Sequence, residues 1–437
     1  MITWIVIMFV LLILLLLLGY PVAFSLGAIA FLFGSIFLGF GFFDLLPLNI
    51  WGVMTNFTLM AVPLFIFMGI ILDKSGLAED LLETMGLLFG RIRGGLALSV
   101  VVVGALLAAT TGVVGATVVT MGIIALPTML KHKYSPQLAS GTIAASGTLG
   151  QIIPPSIILI LLGDVMGVPV GRLFIGAVFP GLSLVLLFCI YIGVIAWSKP
   201  QAAPALTSKH SDHLAKRVVL SLLPPLALVI AVLGSIFFGI ASPTESAAMG
   251  ALGAILLAAL HRKLDMKNLL DAMRHTTRLT SMVFLILIGA TAFGLVFRGM
   301  GGDSVVMELM TGLPGGKWAF LCISMLLIFV LGFFLDFLQI CFIVVPILTP
   351  IAHFMQIDPL WFAVLIALNL QTSFLTPPFG FSLFYLKAVA PAAIKIGHIY
   401  KGIIPFVSLQ VAGIILLIIF PQIVLWLPNL MDRLHGL

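Results

Sequence analysis

Apolar residues run along this chain in long blocks, not in alternation. Residues 5–18 read IVIMFVLLILLLLL with no polar interruption, and similar blocks recur to residue 427. Runs of this kind fit helices that cross a hydrocarbon layer, whereas membrane β-barrels alternate in segments of about ten residues. The blocks place spans near 2–18, 21–43, 57–73, 137–162, 173–197, 218–240, 244–260, 280–297, 361–386 and 403–427. Amphipathic patterning over about 74–90, 262–278 and 299–314 predicts helices lying along the membrane surfaces. One segment, KPQAAPALTSKHSDHLAKR at 199–217, is a clear hydrophilic linker and divides the chain into halves.

Composition sharpens the class. The chain is 62% hydrophobic and 8% charged, against about 25% charged in soluble domains. It therefore belongs in a lipid bilayer. The net charge of +6 does not indicate nucleic acid, because the basic residues fall in short interhelical loops and form no single patch. Cys189, Cys322 and Cys341 sit in apolar runs without ligand spacing and read as small buried hydrophobes. The N-terminus lacks a basic n-region and a small-residue cleavage site, so it reads as a retained first span. No HExxH, GxSxG, Walker A or paired-acid motif is present, which argues against a membrane protease, hydrolase, ATPase or prenyl transferase. His210 and His213 lie in the solvated linker and do not read as a metal tract.

The basic residues fix the topology. Placing Lys74, Arg91, Arg93, Lys131, Lys133, the linker, 262–278, Lys387, Lys395 and Lys401 in the cytoplasm leaves only Arg172, Arg298, Lys317 and Arg433 of 21 outside. Both termini then come out periplasmic. The stretch 94–130 starts and ends in the cytoplasm, is too long for one span, and carries ATTGVVGAT (109–117) at its centre. It reads as a re-entrant hairpin, with two thin spans and a tight outer turn as the alternative. A second hairpin, about 317–350, starts and ends outside with its tip near GFFLDFLQ (332–339).

A shift of 223 residues aligns Pro127 with Pro350, Pro136 with Pro359, and Pro154-Pro155 with Pro377-Pro378. A shift of 221 aligns Gly94-Gly95 with Gly315-Gly316. The hairpins enter from opposite faces, so the repeats are inverted, an architecture of many secondary transporters. The predicted fold is an all-α polytopic membrane protein with about 10 transmembrane helices plus two re-entrant hairpins. Its parts are scaffold helices at 1–56, a first repeat at 57–198, the linker, scaffold helices and a cytoplasmic arm at 218–279, and the inverted repeat at 280–437.

Both Pro-Pro pairs interrupt spans. A broken helix frees carbonyls that hold a cation with hydroxyl oxygens, and N–H groups that attract a carboxylate. The first break (145–156) carries Ser146, Thr148, Gln151 and Ser156, and its hairpin tip carries Thr110, Thr111 and Thr117 with Gly112 and Gly115. The second (369–378) carries Asn369, Gln371, Thr372, Ser373 and Thr376, and its tip carries Asp336 and Gln339. Asp336 lies in an apolar run, where a carboxylate costs roughly 2.5–3.5 kcal/mol unless paired. Coordination of Na⁺ or H⁺ is one reading and a structural hydrogen bond the other. Glu245, in SPTESAAMGALGA (242–254), reads first as a helix cap and second as a transport residue.

GTLGQIIPPS (147–156), SPTESAA (242–248), GFFLDFLQICFIVVPILTP (332–350) and LNLQTSFLTPPFG (368–380) resemble the large membrane subunit of tripartite ATP-independent periplasmic (TRAP) transporters, the DctM-like family. The resemblance covers essentially the whole chain. It implies sodium-driven import of small organic acids, in the bacterial inner membrane, by an elevator motion of the hairpin-bearing domain against a scaffold. It implies a soluble periplasmic binding protein and a four-helix small membrane subunit, expected from another gene because the chain starts directly on the large subunit's first span. At least two Na⁺ are implied. One would sit among Thr111, Gly112, Ser146, Gly147, Thr148 and Gly150, the other among Gly332, Asp336, Gln371, Thr372, Ser373 and Thr376. The substrate carboxylate would sit between the tips, near Thr110, Thr117, Gln151, Pro154, Pro155, Gln339, Pro377 and Pro378. Many relatives carry Ser-Gly-Ser-Ser at the first tip where this chain has Thr-Gly-Val-Val at 111–114, so tip contacts are expected to differ. A stand-alone carboxylate symporter and a non-transporting membrane enzyme or assembly subunit are the competing readings.

Overall fold

The computed structural model describes residues 2–112, 114–205, 214–378 and 380–435. His210 and His213 fall outside the described residues. Helices and turns make up the described chain, with no strand among them. Seven helices are long and apolar enough to cross a membrane, and two bent pairs raise this to nine, against the ten spans expected.

The first half runs α1 (Ile2–Leu17), α2 (Val22–Phe37), α3 (Leu46–Met54), α4 (Ala61–Lys74), α5 (Leu77–Phe89), α6 (Gly95–Thr111), α7 (Val114–Lys131), α8 (Pro136–Thr148), α9 (Ile157–Met166) and α10 (Val170–Ser198). The second half runs α11 (Leu214–Phe237), α12 (Pro243–Leu260), α13 (Met266–Gly299), α14 (Gly302–Thr311), α15 (Gly316–Leu331), α16 (Phe337–Gln339), α17 (Val345–Phe354), α18 (Pro359–Leu375), α19 (Phe381–Val389), α20 (Ile396–Ile419) and α21 (Gln422–His435). A π turn, Ile340–Val344, joins α16 to α17.

Equivalent residues adopt equivalent conformations. Ser135 and Asp358, 223 residues apart, both N-cap a helix with proline in its first turn, accepting from Leu138 N–H and Trp361 N–H. Lys133 and Gln356, in the same register, both have positive φ, +62° and +55°. The Pro154-Pro155 and Pro377-Pro378 bonds are both cis. Gly94 and Gly315 both sit left-handed ahead of a hairpin.

The duplication also takes in the scaffold. Helices α1 and α2 correspond to α11 and α12: α2 packs on α13 as α12 packs on α4. Contacts between the halves are reciprocal. Helix α20 lies on α8 and α10 on α18; α9 touches α18 and α19 touches α8; α7 lies on α19 and α17 on α9. Such exchange is the signature of a two-fold axis. With the Lys and Arg distribution, this axis turns one copy over in the membrane.

Both hairpin tips end beside a break in the facing helix, Gly112 at Ile157 and Gly332 at Ser373. Hairpin one (α6–α7) shares its base with the start of α8, where Tyr134 Oη accepts from Leu96 N–H at 3.3 Å. It follows α8 for 13 residues, about 20 Å. Its tip, Gly112, then faces Ile157 at the start of α9, where an added Cβ would lie 3.4 Å away. A tip that ends beside the break in a span has not crossed to the far face.

Several boundaries differ from expectation. The arm at 262–278 and the span at 280–297 form one 34-residue helix, α13, because no Gly or Pro interrupts RHTTRLTSM. The span at 21–43 ends at Phe37, and the stretch after it folds as a 3-10 turn (Phe40–Leu45) and α3. The span at 403–427 ends at Ile419: Pro421 lacks an N–H and disfavours helix before it, so α21 is a separate helix against α10. Helix α5 does not lie on lipid alone; Leu77, Leu81, Leu82 and Met85 are buried where it packs on α6 and α11. The linker starts as packed structure, with Ala202 and Ala203 carbonyls accepting from Ser135 and Gly94.

Candidate functional site

The first break is built by close packing. Helix α8 passes into a 3-10 turn (Leu149–Gln151), then an irregular stretch, and α9 starts after Ser156. Hairpin one clamps this path with small residues. An added Cβ on Gly104 would meet Ser146 Cβ at 2.6 Å, and one on Gly147 would meet Val118 at 2.2 Å. Gly150 faces the Ala108 carbonyl at 3.3 Å. Small residues bring helix backbones this close. Ser146, Gly147, Thr148, Gly150, Gln151, Pro154, Pro155 and Ser156 are all buried.

The hydroxyls here share one arrangement. Thr110 donates to Leu107 O (2.9 Å), Ser146 to Thr142 O (2.6 Å), Thr148 to Ala145 O (2.8 Å) and Ser156 to Gln151 O (2.9 Å). A hydroxyl that gives its proton to its own helix presents only lone pairs to its surroundings. Such oxygens suit a cation.

The second break repeats the plan with different side chains. Ser373 donates to Leu370 O (2.8 Å), Thr372 to Leu368 O (2.8 Å) and Thr376 to Thr372 O (2.7 Å). Asn369 Nδ2 donates to Met325 O of hairpin two at 2.7 Å. This pair is the counterpart of Ser146 on Gly104. Gly332, at the tip, sits on Ser373, where an added Cβ would lie 2.1 Å from Oγ. In copy one the glycine is on the break instead: Gly150 faces Ala108, one turn before the tip. Pro377 is half-buried and Pro378 exposed, so this break is the more open one.

Asp336 is half-buried and starts the return arm of hairpin two, its Oδ1 accepting from Phe337 N–H at 2.8 Å. Tyr385 meets the tip of hairpin one, its ring 3.2 Å from a Cβ built on Gly115. Gln339 is half-buried one turn into the arm, and Thr117 is buried.

At the axis the copies touch through equivalent residues. Gln371 Nε2 donates to Thr148 Oγ1 at 3.4 Å, and these positions are 223 residues apart. Gln410 Nε2, from α20, donates to the same oxygen at 3.4 Å. Gln371 Oε1, Gln410 Oε1 and both amide atoms of Gln151 are buried without a partner. Each such atom costs about 1–3 kcal/mol, so this centre is polar and under-satisfied.

The structure therefore brings the candidate residues together at two tip-and-break contacts that meet on the axis. Thr111 ends α6 and Gly112 follows it left-handed at φ +59°. The Thr-Gly-Val-Val departure includes Val113, outside the described residues. Glu245 stands apart as a cap: it is exposed and completes a capping box with Ser242, accepting from Ser242 N–H at 2.7 Å. Sequence reasoning missed Gln410, whose only signal was a lone amide in an apolar span, and Tyr385, the fifth residue of α19. It also missed two carboxylates, Asp164 on α9 and Asp73 in the last turn of α4. Asn56 Nδ2 donates to Asp164 Oδ1 at 2.6 Å, and Thr120 Oγ1 to Asp73 Oδ1 at 3.1 Å.

The comparisons with known proteins converge. The family model described as Tripartite ATP-independent periplasmic transporter, DctM component, matches residues 9–423. A protein of Pseudomonas aeruginosa named C4-dicarboxylate TRAP transporter large permease protein DctM is 30% identical over 88% of this chain and 89% of its own. A Vibrio cholerae protein named Sialic acid TRAP transporter large permease protein SiaM is 30% identical over 94% of this chain and 95% of its own. The crystal structure of the Alcanivorax borkumensis YdaH transporter, which has an unusual topology, is similar with a TM-score of 0.63 at 14% identity, covering 95% of this chain and 98% of that one. The last likeness concerns the fold alone.

Proposed function

Because the chain belongs to the DctM component family of tripartite ATP-independent periplasmic transporters, a family of membrane permeases and not of enzymes, we propose that it drives import of small organic acids with sodium. In this reading it is the large permease in a bacterial inner membrane. A periplasmic binding protein delivers the substrate, and a separate four-helix subunit packs beside it. The observation that carries the reading is the pair of hairpin tips seated on two broken helices, with hydroxyls at both that give their protons to carbonyls of their own helix.

Carbonyls freed at a half-helix end, with such hydroxyls, suit Na⁺. One ion would bind Ser146, Gly147, Thr148 and Gly150 with the first tip (Thr111, Gly112). A second would bind Gln371, Thr372, Ser373 and Thr376 with the second tip (Gly332, Asp336). The substrate carboxylate would lie between the tips, near Thr110, Thr117, Gln151, Gln339 and the two Pro-Pro segments, beside Tyr385. The two relatives above are named for acids, which supports a carboxylate. An elevator motion is supported by the division into a hairpin-bearing core and the packed helices α1, α2, α11 and α12.

Uptake into proteoliposomes containing the permease and its small subunit tests this. Uptake that needs both an inward sodium gradient and the binding protein is expected. Uptake without the binding protein would favour a stand-alone symporter. No uptake with any neighbouring-gene partner would sink both.

A further inference from the structure

We propose that Gln410 is a positioning residue that couples the two candidate sodium sites through Thr148 and Gln371; this rests on the sodium-driven reading above. Thr148 belongs to the first site and Gln371 to the second, and the two touch on the axis that relates the copies. The Thr148 hydroxyl gives its proton to Ala145 O. Its two lone pairs face two amide donors, Gln371 Nε2 and Gln410 Nε2, each at 3.4 Å. The oxygen is therefore fully engaged as the structure stands.

Binding an ion through Thr148 requires that one donor let go. Gln371 and Gln410 are not equal candidates. Gln371 sits on α18 beside Thr372 and Ser373, so turning its amide away from Thr148 re-aims a buried, unpartnered Oε1 within the second site. Gln410 sits on α20, which packs along α8, and is fully buried. It keeps a donor on Thr148 after Gln371 turns, so the hydroxyl retains its orientation and the released amide oxygen becomes a ligand for the second ion. Occupancy of one site thus prepares the other. Two sites linked in this way bind cooperatively.

The side chain of Gln410 has no counterpart contact in the two-fold pattern. Aligned on the N-caps of α10 and α20, Pro169 and Lys395, the equivalent residue is Leu184, which is buried in the apolar core. The coupling is therefore one-sided: α20 supplies a third group, an amide, to an axis that symmetry alone would leave with two.

The test is sodium activation of substrate uptake by the complete transporter, wild type against Gln410→Met, which keeps length and volume. Wild type is expected to activate with a Hill coefficient of about 2. In Gln410→Met the coefficient should fall to about 1 and half-saturating sodium rise about fivefold, with substrate KM at saturating sodium unchanged. A merely structural residue would lower the maximal rate and leave the coefficient alone, and that result overturns the proposal. Gln410→Leu, read by the sodium-dependent rise in melting temperature of detergent-purified protein, provides the second arm: a shallower, hyperbolic sodium response supports the coupling and an unchanged sigmoid overturns it. A sodium-driven wild type with a coefficient of 1 overturns the coupling alone. A wild type indifferent to sodium overturns the sodium reading and the coupling together.

Discussion

Gly332→Ala should pry hairpin two off its break. The new Cβ would lie 2.1 Å from Ser373 Oγ and 2.6 Å from Ser373 Cβ. Carbon contacts relax near 3.5 Å, so the tip must move by about 1 Å. Ser373 cannot simply swing aside, because its hydroxyl is held on Leu370 O at 2.8 Å. Overpacking of this kind costs about 1–3 kcal/mol. If half of that strain falls on an ion held between tip and break, affinity drops about tenfold at the upper end.

Two measurements separate packing from ion binding: the melting temperature in detergent without sodium, and half-saturating sodium for uptake. Gly332→Ala should worsen both. Ser373→Gly should leave the melting temperature near wild type and raise half-saturating sodium, since it removes a hydroxyl. The double variant moves the glycine to the break, as in copy one, where Gly150 faces Ala108 at 3.3–3.4 Å. It should recover the melting temperature of Ser373→Gly but not the sodium response. Gly332→Ala indistinguishable from wild type in both readouts would refute the contact. So would a double variant whose destabilisation is the full sum of the singles, because touching residues couple by about 0.5–3 kcal/mol.

Asp336→Asn should raise half-saturating sodium at least about tenfold, while Glu245→Gln, in an exposed cap, should leave it near wild type; equal effects in the uptake assay would mean the two acids have been ranked wrongly. Gly402→Ala should lower the melting temperature sharply or prevent folding, since its Cβ would sit 2.1 Å from Gln137 O where α20 crosses α8, whereas Gly397→Ala, with open space, should be neutral or stabilise by about 0.5–1 kcal/mol. Asn56→Ala removes the 2.6 Å bond to Asp164, worth about 1.5–3 kcal/mol when one partner is charged; maleimide labelling of a cysteine introduced at Val165 should speed about tenfold or more, and an unchanged rate would show that this bond does not hold the end of α9.

What was legible in the sequence is what backbone chemistry enforces locally. Prolines recur at matching places in both copies, inside α7 and α17 (Pro127, Pro350), at the start of α8 and α18 (Pro136, Pro359) and at the two breaks, so their register revealed the repeat. The hairpins followed from charge counting and length. The continuity of α13 was not legible, because polar residues at 262–278 look like an interface helix whether or not the helix goes on. The extension of the repeat to α1–α2 and α11–α12 was hidden for a similar reason: apolar spans without punctuation align equally well in many registers. The site was legible by residue type but not by contact. That Gly332 sits on Ser373, that Thr148 meets Gln371, and that Tyr385 meets Gly115 are facts of tertiary packing. Gln410 was invisible because one amide in a long apolar span carries no spacing to read.

The two copies share a frame and differ in chemistry, and the differences are ordered. Copy one has a fully buried break, with Pro154 and Pro155 enclosed and glycine at positions 147 and 150 admitting the hairpin backbone. Copy two has a serine in place of Gly150, an exposed Pro378, and a carboxylate at its tip. If each break holds an ion as proposed, a carboxylate at the more open break would exchange its cation with water, whereas the enclosed break, with only neutral oxygens, would release its ion by moving a hairpin. Exchange at the open site without disturbing the closed one would waste the gradient, since ions would pass without substrate. In the proposed coupling, the contact between Thr148 and Gln371 would prevent this by making each site's ligands depend on the other. The direct pairing of equivalent residues on the axis, with Gln410 as the one contribution that breaks the symmetry, is the arrangement such coupling requires.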